Sequence, residues 1–181
     1  MLNKTLLLCL SLSLFFCTLE AKQNNVQLQE QAKNRVYNKT IRSFMQNNKK
    51  ITTLVNKSYA YAVFPSVGKG GVVFGGAHGE GRVFRRGMWV ANTTMTQYTF
   101  GLQVGGQVYS EMIFFMSRDA FKAFQKGGYT SSTQSSFVPF YSGLSGDVNF
   151  AKDVYVVTSS GGGFMVEAST GTQEFTYKSL E

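Results

Sequence analysis

Residues 59–81 read YAYAVFPSVGKGGVVFGGAHGEG, with seven glycines between Gly68 and Gly81 and Lys69 among them. Such a stretch is either a loop whose backbone amides cradle a phosphate or part of a glycine-rich sheet, and the choice decides the fold. The nucleotide templates fail on spacing. A P-loop needs glycine five residues before the Gly-Lys pair and Ser or Thr after it, whereas Val63 and Gly70 stand there. The pattern GxGxxG breaks at Val73 when started from Gly68 and at Phe84 when started from Gly79. The flanking runs AYAVF, GVVFGGAH and GRVFRRG have the composition of strands, and none feeds a helix. Gly79-Glu80-Gly81 reads as a hairpin turn, Arg86-Gly87 as a second turn, and Pro65 as a strand end or edge.

Strand-like segments continue downstream. WVANTTM follows the Arg86-Gly87 turn, and FGLQVGGQVYSEMIFFM places apolar residues at even positions from Phe100 to Met116. That run exceeds a typical strand, so a break is expected near Tyr109-Ser110. Ser117 offers an N-cap for RDAFKAFQK, with Gly127-Gly128 as the stop. YTSSTQSSFVPF, DVYVVTSS, GFMVEAS and EFTYK supply four further strand-like runs. Gly75-Gly76, Gly105-Gly106 and Gly161-Gly162-Gly163 lie in or beside apolar strands, and 16 Phe and 9 Tyr must be accommodated. Glycine opposite an aromatic in a bent sheet answers both facts.

Upstream the period is helical. From Val26 to about Gln46, Val36, Tyr37, Ile41, Phe44 and Met45 share one arc and Arg35, Lys39 and Arg42 the opposite one. Asn47-Asn48 breaks the pattern, and a short helix is expected from about Lys50 to Ser58. The fold class is therefore α+β. N-terminal amphipathic helices precede a strongly curled, glycine-rich antiparallel sheet of seven to nine strands, forming a partial barrel or sandwich with one short inserted helix.

The first 21 residues carry a basic start, MLNK, and the apolar run TLLLCLSLSLFFCTL, the pattern of a signal peptide. The expected division is a leader over 1–21 and one domain over 22–181, made of a basic helical segment (22–58) and a β-rich core (59–181). Phe15-Phe16 before Cys17 does not fit a lipid-modification site, so the product is expected to be exported to the periplasm or envelope, with the leader cleaved or kept as an anchor. Both cysteines, Cys9 and Cys17, fall in the leader, which leaves a mature chain with no disulfide, thiolate metal site or cysteine nucleophile. The one histidine, His78, rules out a multi-histidine zinc site, and no paired-carboxylate spacing suggests glycosidase chemistry. No enzyme, cofactor or metal is expected. Asn38-Lys39-Thr40, Asn56-Lys57-Ser58 and Asn92-Thr93-Thr94 are N-glycosylation sequons, meaningful only in a eukaryotic source.

Net charge is +8, and its distribution matters more than its size. Residues 22–57 carry Lys22, Lys33, Arg35, Lys39, Arg42, Lys49, Lys50 and Lys57 against Glu30 alone, a local charge of +7, while the remainder to the C-terminus is +1. A cationic helix of this kind attracts anionic surfaces, and export disfavours nucleic acid as the partner. The residues expected to meet anionic lipid are Lys33, Arg35, Lys39, Arg42, Lys49 and Lys50. Lys69, Arg82, Arg85 and Arg86 extend the set around the first hairpin, although Arg85-Arg86 equally fits a solvated turn and Lys69 equally fits water.

The motifs AVFPSVGKGGVVFGGAHGEGRV, FGLQVGGQ followed by MIFFMS, and DVYVVTSSGGGFMVEAS together resemble the blocks of the SYLF-domain family, over roughly Leu54 to Ser169. The last block departs from the family's usual wording. The resemblance implies a non-enzymatic lipid-binding module with a contributing N-terminal amphipathic helix. Some fungal members of that family bind actin, which an exported bacterial-type member would not meet. The expected partner is an anionic phospholipid membrane, with no nucleotide or nucleic acid. The alternatives are a structural module that binds an envelope protein, and a carrier of an apolar lipid inside the β-domain.

Overall fold

The computed structural model describes residues 4–47, 49–71, 74–126, 145–150 and 154–180. Two compact units divide the chain, Met1–Asn38 and Lys39–Glu181. The first is helical, formed by α1 (Lys4–Asn47) as far as Asn38. No helix of the described residues is long and apolar enough to cross a membrane.

The second unit begins with the end of α1, followed by α2 (Lys49–Lys57), β1 (Ala60–Gly71), β2 (Phe74–Arg85), β3 (Met88–Phe115), α3 (Arg118–Gln125), β4 (Ser145–Phe150) and β5 (Val154–Ser179). The helix break falls where the asparagine pair predicts it. α3 forms as its cap predicts, with the Ser117 hydroxyl accepting from the Ala120 amide at 3.2 Å and Ala120, Phe121 and Phe124 buried. The Arg86-Gly87 turn is also present, with φ of 52° and 77°, the left-handed pair that a two-residue hairpin requires. Gly127-Gly128 and YTSSTQSSFVPF lie outside the described residues.

The five strands are all antiparallel neighbours, in the order β1-β2-β3-β5-β4, with β1 also pairing β3. That extra pairing does not close a barrel, because β3 uses different halves for its two neighbours. Residues 88–100 pair with β2, and residues 105–115 return along the far edge of β1. Between them the chain crosses the end of the β1–β2 hairpin. Three inter-strand spacings amount to about 14 Å, and the five steps from 100 to 105 reach roughly 16 Å. Gly105 stands at this corner with φ of 124°, which residues with a side chain rarely adopt. β5 follows β3 around the outside, from Ala91↔Ser179 through Gly101↔Ser169 to Phe115↔Val154. Among the described residues the sheet is open, with β1 and β2 in the centre, the halves of β3 on either side, and the halves of β5 outside those. β4 pairs with the first part of β5.

Three sequence-based expectations are corrected here. Gly79-Glu80-Gly81 is the middle of β2, not a turn, because these glycines make room for side chains. A Cβ on Gly81 would lie 2.6 Å from the Phe64 ring, and one on Gly79 would lie 2.8 Å from Val67. Pro65 sits inside β1, at a bulge between Val63 and Val67 where its missing donor breaks no ladder bond. WVANTTM and the following apolar run form one strand, as do DVYVVTSS, GFMVEAS and EFTYK. Among the described residues, four long strands and the six-residue β4 therefore stand where a larger number of short strands is expected. β3 runs unbroken past the expected break near Tyr109, and the irregularity there is a bulge in β5, with Gly161 as the extra residue.

One sheet face carries Ala60, Ala62, Phe64, Val67, Ala77, Val83, Met95, Ile113, Phe115 and Phe175, packed with Phe121 and Phe124 of α3. The Phe124 ring lies 4.6 Å from that of Phe115 and 5.4 Å from that of Phe175. The opposite face buries Tyr61, Val63, Phe84, Met112 and Phe114. From Glu111 to Phe115 every residue is buried, so this part of β3 is enclosed on both faces and strict alternation fails. Val108, on the face expected to be inside, is exposed.

Candidate functional site: the basic helical segment and the sheet cations

Tyr37 and Phe44 of α1 and Ile51 of α2 are buried, while Ile41 and Met45 are half-buried. Val36, assigned to the same apolar arc by spacing, is exposed. Lys33 and Arg35 are exposed in the first unit, and Lys39, Arg42, Lys49 and Lys50 are exposed in the second. Lys33 pairs with Glu30 at 4.0 Å, one helical turn away and open to solvent, where such a pair is worth little.

The sheet cations divide differently. Arg85 and Arg86 occupy the β2–β3 turn and are exposed, with the Arg85 guanidinium 4.7 Å from the Tyr59 ring centre. Arg82 is buried, its guanidinium 3.6 Å from the Trp89 ring, a desolvated cation–π contact. Lys69 is buried as well. The bulge at Pro65 resets the alternation of β1 and turns Lys69 to the same face as Val67 and Ala77. Neither Lys69 nor Arg82 therefore stands where a flat lipid surface meets it, and both are withdrawn from the expected lipid-contacting set.

Lys69 belongs to a buried polar group that spacing alone did not reveal. Its row across the sheet runs Lys69–Ala77–Gln97–Gln173, and Glu111 stands on the same face opposite Phe64. Gln97, Glu111 and Gln173 are all buried. The Gln173 amide nitrogen donates to Glu111 Oε1 at 3.4 Å and also contacts the Met95 sulfur. Burial pushes the Glu111 carboxyl up to about 7, against the opposing pull of the Gln173 hydrogen bond and the Lys69 charge. The available signal was a glutamate inside the apolar run SEMIFF, which is uncommon without a buried partner.

No known family, curated protein or solved structure matches this chain. His78 is exposed on β2, and no group of three or more metal-ligating side chains occurs among the described residues. The arrangement offers two features of consequence: a solvent-facing set of helical cations and an interior polar group around one carboxylate.

Proposed function

We propose that this chain is an exported, envelope-associated protein of SYLF type that binds anionic phospholipid without catalysis, through its basic helical segment. The observation that carries the reading is the exposure of Lys33, Arg35, Lys39, Arg42, Lys49 and Lys50 together, against the burial of Lys69 and Arg82 in the sheet. Attraction to a charged bilayer needs accessible cations and no fixed constellation, so it acts on each exposed residue independently. Each is worth about 1 kcal/mol near an anionic surface.

Vesicle flotation tests this. Neutralising Arg35, Lys39 and Arg42 to Gln removes about 3 kcal/mol, on the order of a hundredfold in partitioning. Binding to phosphatidylglycerol vesicles should fall accordingly and should weaken with salt. Equal flotation with phosphatidylcholine vesicles, or no loss in the triple variant, refutes the reading.

We also infer that the sheet is strongly curled, as a partial barrel around the polar group. Glu111 and Gln173 stand four lanes apart, about 19 Å in a flat sheet, while their side-chain atoms are 3.4 Å apart. Glycines along β2 and β3 favour such bending. An NOE between the Gln173 amide protons and the Glu111 methylene protons is expected, and its absence would mean a flatter sheet.

A further inference from the structure

The second half of β5 leaves a sheet edge. Among the described residues, 170–179 pair with β3 on one side only, since β4 reaches no further along β5 than Thr158. An unpaired edge is a template for another strand unless it is short, twisted away or charged against pairing. This one is long, and between Gln173 and Lys178 its exposed side chains are Glu174, Thr176 and Lys178. Phe175 and Tyr177 turn to the other face, with ring centres 5.4 Å and 6.3 Å from that of Phe124.

The edge sequence Gln173–Ser179, QEFTYKS, is complementary to itself. Two copies of one strand lying antiparallel in a single sheet are related by a two-fold axis perpendicular to it. That axis preserves the faces, so opposed residues must come from the same face and the register must centre on a residue. Centring on Phe175 sets Glu174 against Thr176, and centring on Tyr177 sets Lys178 against Thr176. Centring on Thr176 sets Glu174 against Lys178 of the second copy, twice by symmetry, with Thr176 against itself and Phe175 against Tyr177. Opposite-charge, Thr–Thr and aromatic pairs are the cross-strand combinations that stabilise antiparallel sheets. Of these three registers, only the last matches the charges.

The geometry points to a two-fold homodimer in which β5 pairs antiparallel with β5 of a second copy, centred on Thr176. The two sheets then join edge to edge, and the aromatic rows of the two α3-bearing faces become continuous across the axis. The contact is isologous and uses one edge of each copy, so it closes at two copies and does not propagate.

The test uses the full chain with Cys9 and Cys17 replaced by Ser, so that association through the N-terminal residues cannot give disulfides. Thr176→Cys should cross-link to itself under mild oxidation, because directly opposed residues bring their Cβ atoms within about 5 Å. Glu174→Cys alone, which faces Lys178 in this register, should cross-link far less. In sedimentation velocity, Glu174→Lys and Lys178→Glu should each weaken the dimer at least tenfold, and the double swap should restore it. All three residues are exposed; the Thr176 hydroxyl accepts from the Thr94 amide at 3.2 Å, so the thermal melt of Thr176→Cys is compared with that of the parent before cross-linking is read. A monomer at every concentration, a dimer indifferent to both single reversals, or a swap that fails to restore association overturns the proposal.

Discussion

Replacing Glu111 with Gln should change stability by an amount that depends on pH. The carboxyl is buried, with Gln173 and Lys69 as its stabilising neighbours, and it is held at about 7 against a reference of 4.5. Because its folded-state value is raised, the folded protein holds a proton that the unfolded chain has already released between those limits. Stability therefore falls as pH rises from about 4.5 to about 7 and is flat beyond. A displacement of this size corresponds to roughly 3 kcal/mol, at about 1.4 kcal/mol per unit. Gln is isosteric with protonated Glu and keeps a polar group facing Gln173, so near pH 4.5 the variant should match the parent. At pH 8 it should be more stable by up to about 3 kcal/mol, since no charge is buried. Urea denaturation at a series of pH values reads this directly. Parallel stability profiles for parent and variant would refute the account, because the pH dependence would then arise elsewhere.

Three further substitutions follow from the same structure. Gly81→Ala should destabilise by about 1–3 kcal/mol, because its Cβ would meet Phe64 at 2.6 Å. Gly68→Ala meets nothing within 4 Å, and should be neutral or stabilising by up to about 1 kcal/mol; thermal melts of the two variants separate a glycine that is filled over from one that is not. Ser117→Ala removes the acceptor for the Ala120 amide at 3.2 Å and should cost about 1 kcal/mol in denaturant titrations.

Elements whose signals are local were legible in the sequence. The asparagine break between α1 and α2, the Ser117 cap and the Arg86-Gly87 turn each depend on a few adjacent residues. The glycines of β2 were harder, because glycine serves both turns and close packing, and only the position of Phe64 across the pair decides between them. Strand length is not legible in the sequence for a related reason. A typical strand ends after a few residues, but β3 continues because it finds β1 beyond the corner, and β5 continues because it follows β3 throughout. Arg35, Lys39 and Arg42 are exposed, as their position opposite the apolar arc leads one to expect. Lys69 and Arg82 are not, since a one-residue bulge at Pro65 reverses which side Lys69 faces and Trp89 shields Arg82. Glu111 and Gln173 lie 62 positions apart, and no local pattern joins them.

The passage of β3 around the β1–β2 hairpin bears on the order in which the chain assembles. The inner hairpin joins residues close in sequence, Gly71↔Gly75 through Tyr61↔Phe84. The return of β3 to β1 closes larger loops, up to Ala60↔Phe115, and the outer lane closes loops as large as Ala91↔Ser179. Loop-closure entropy favours the nearer contacts first. The domain therefore assembles from its centre outward, and its C-terminal residues dock late. Until Gln173 arrives, Glu111 lacks its hydrogen-bond donor, so the carboxylate is enclosed only when the last strand takes its place.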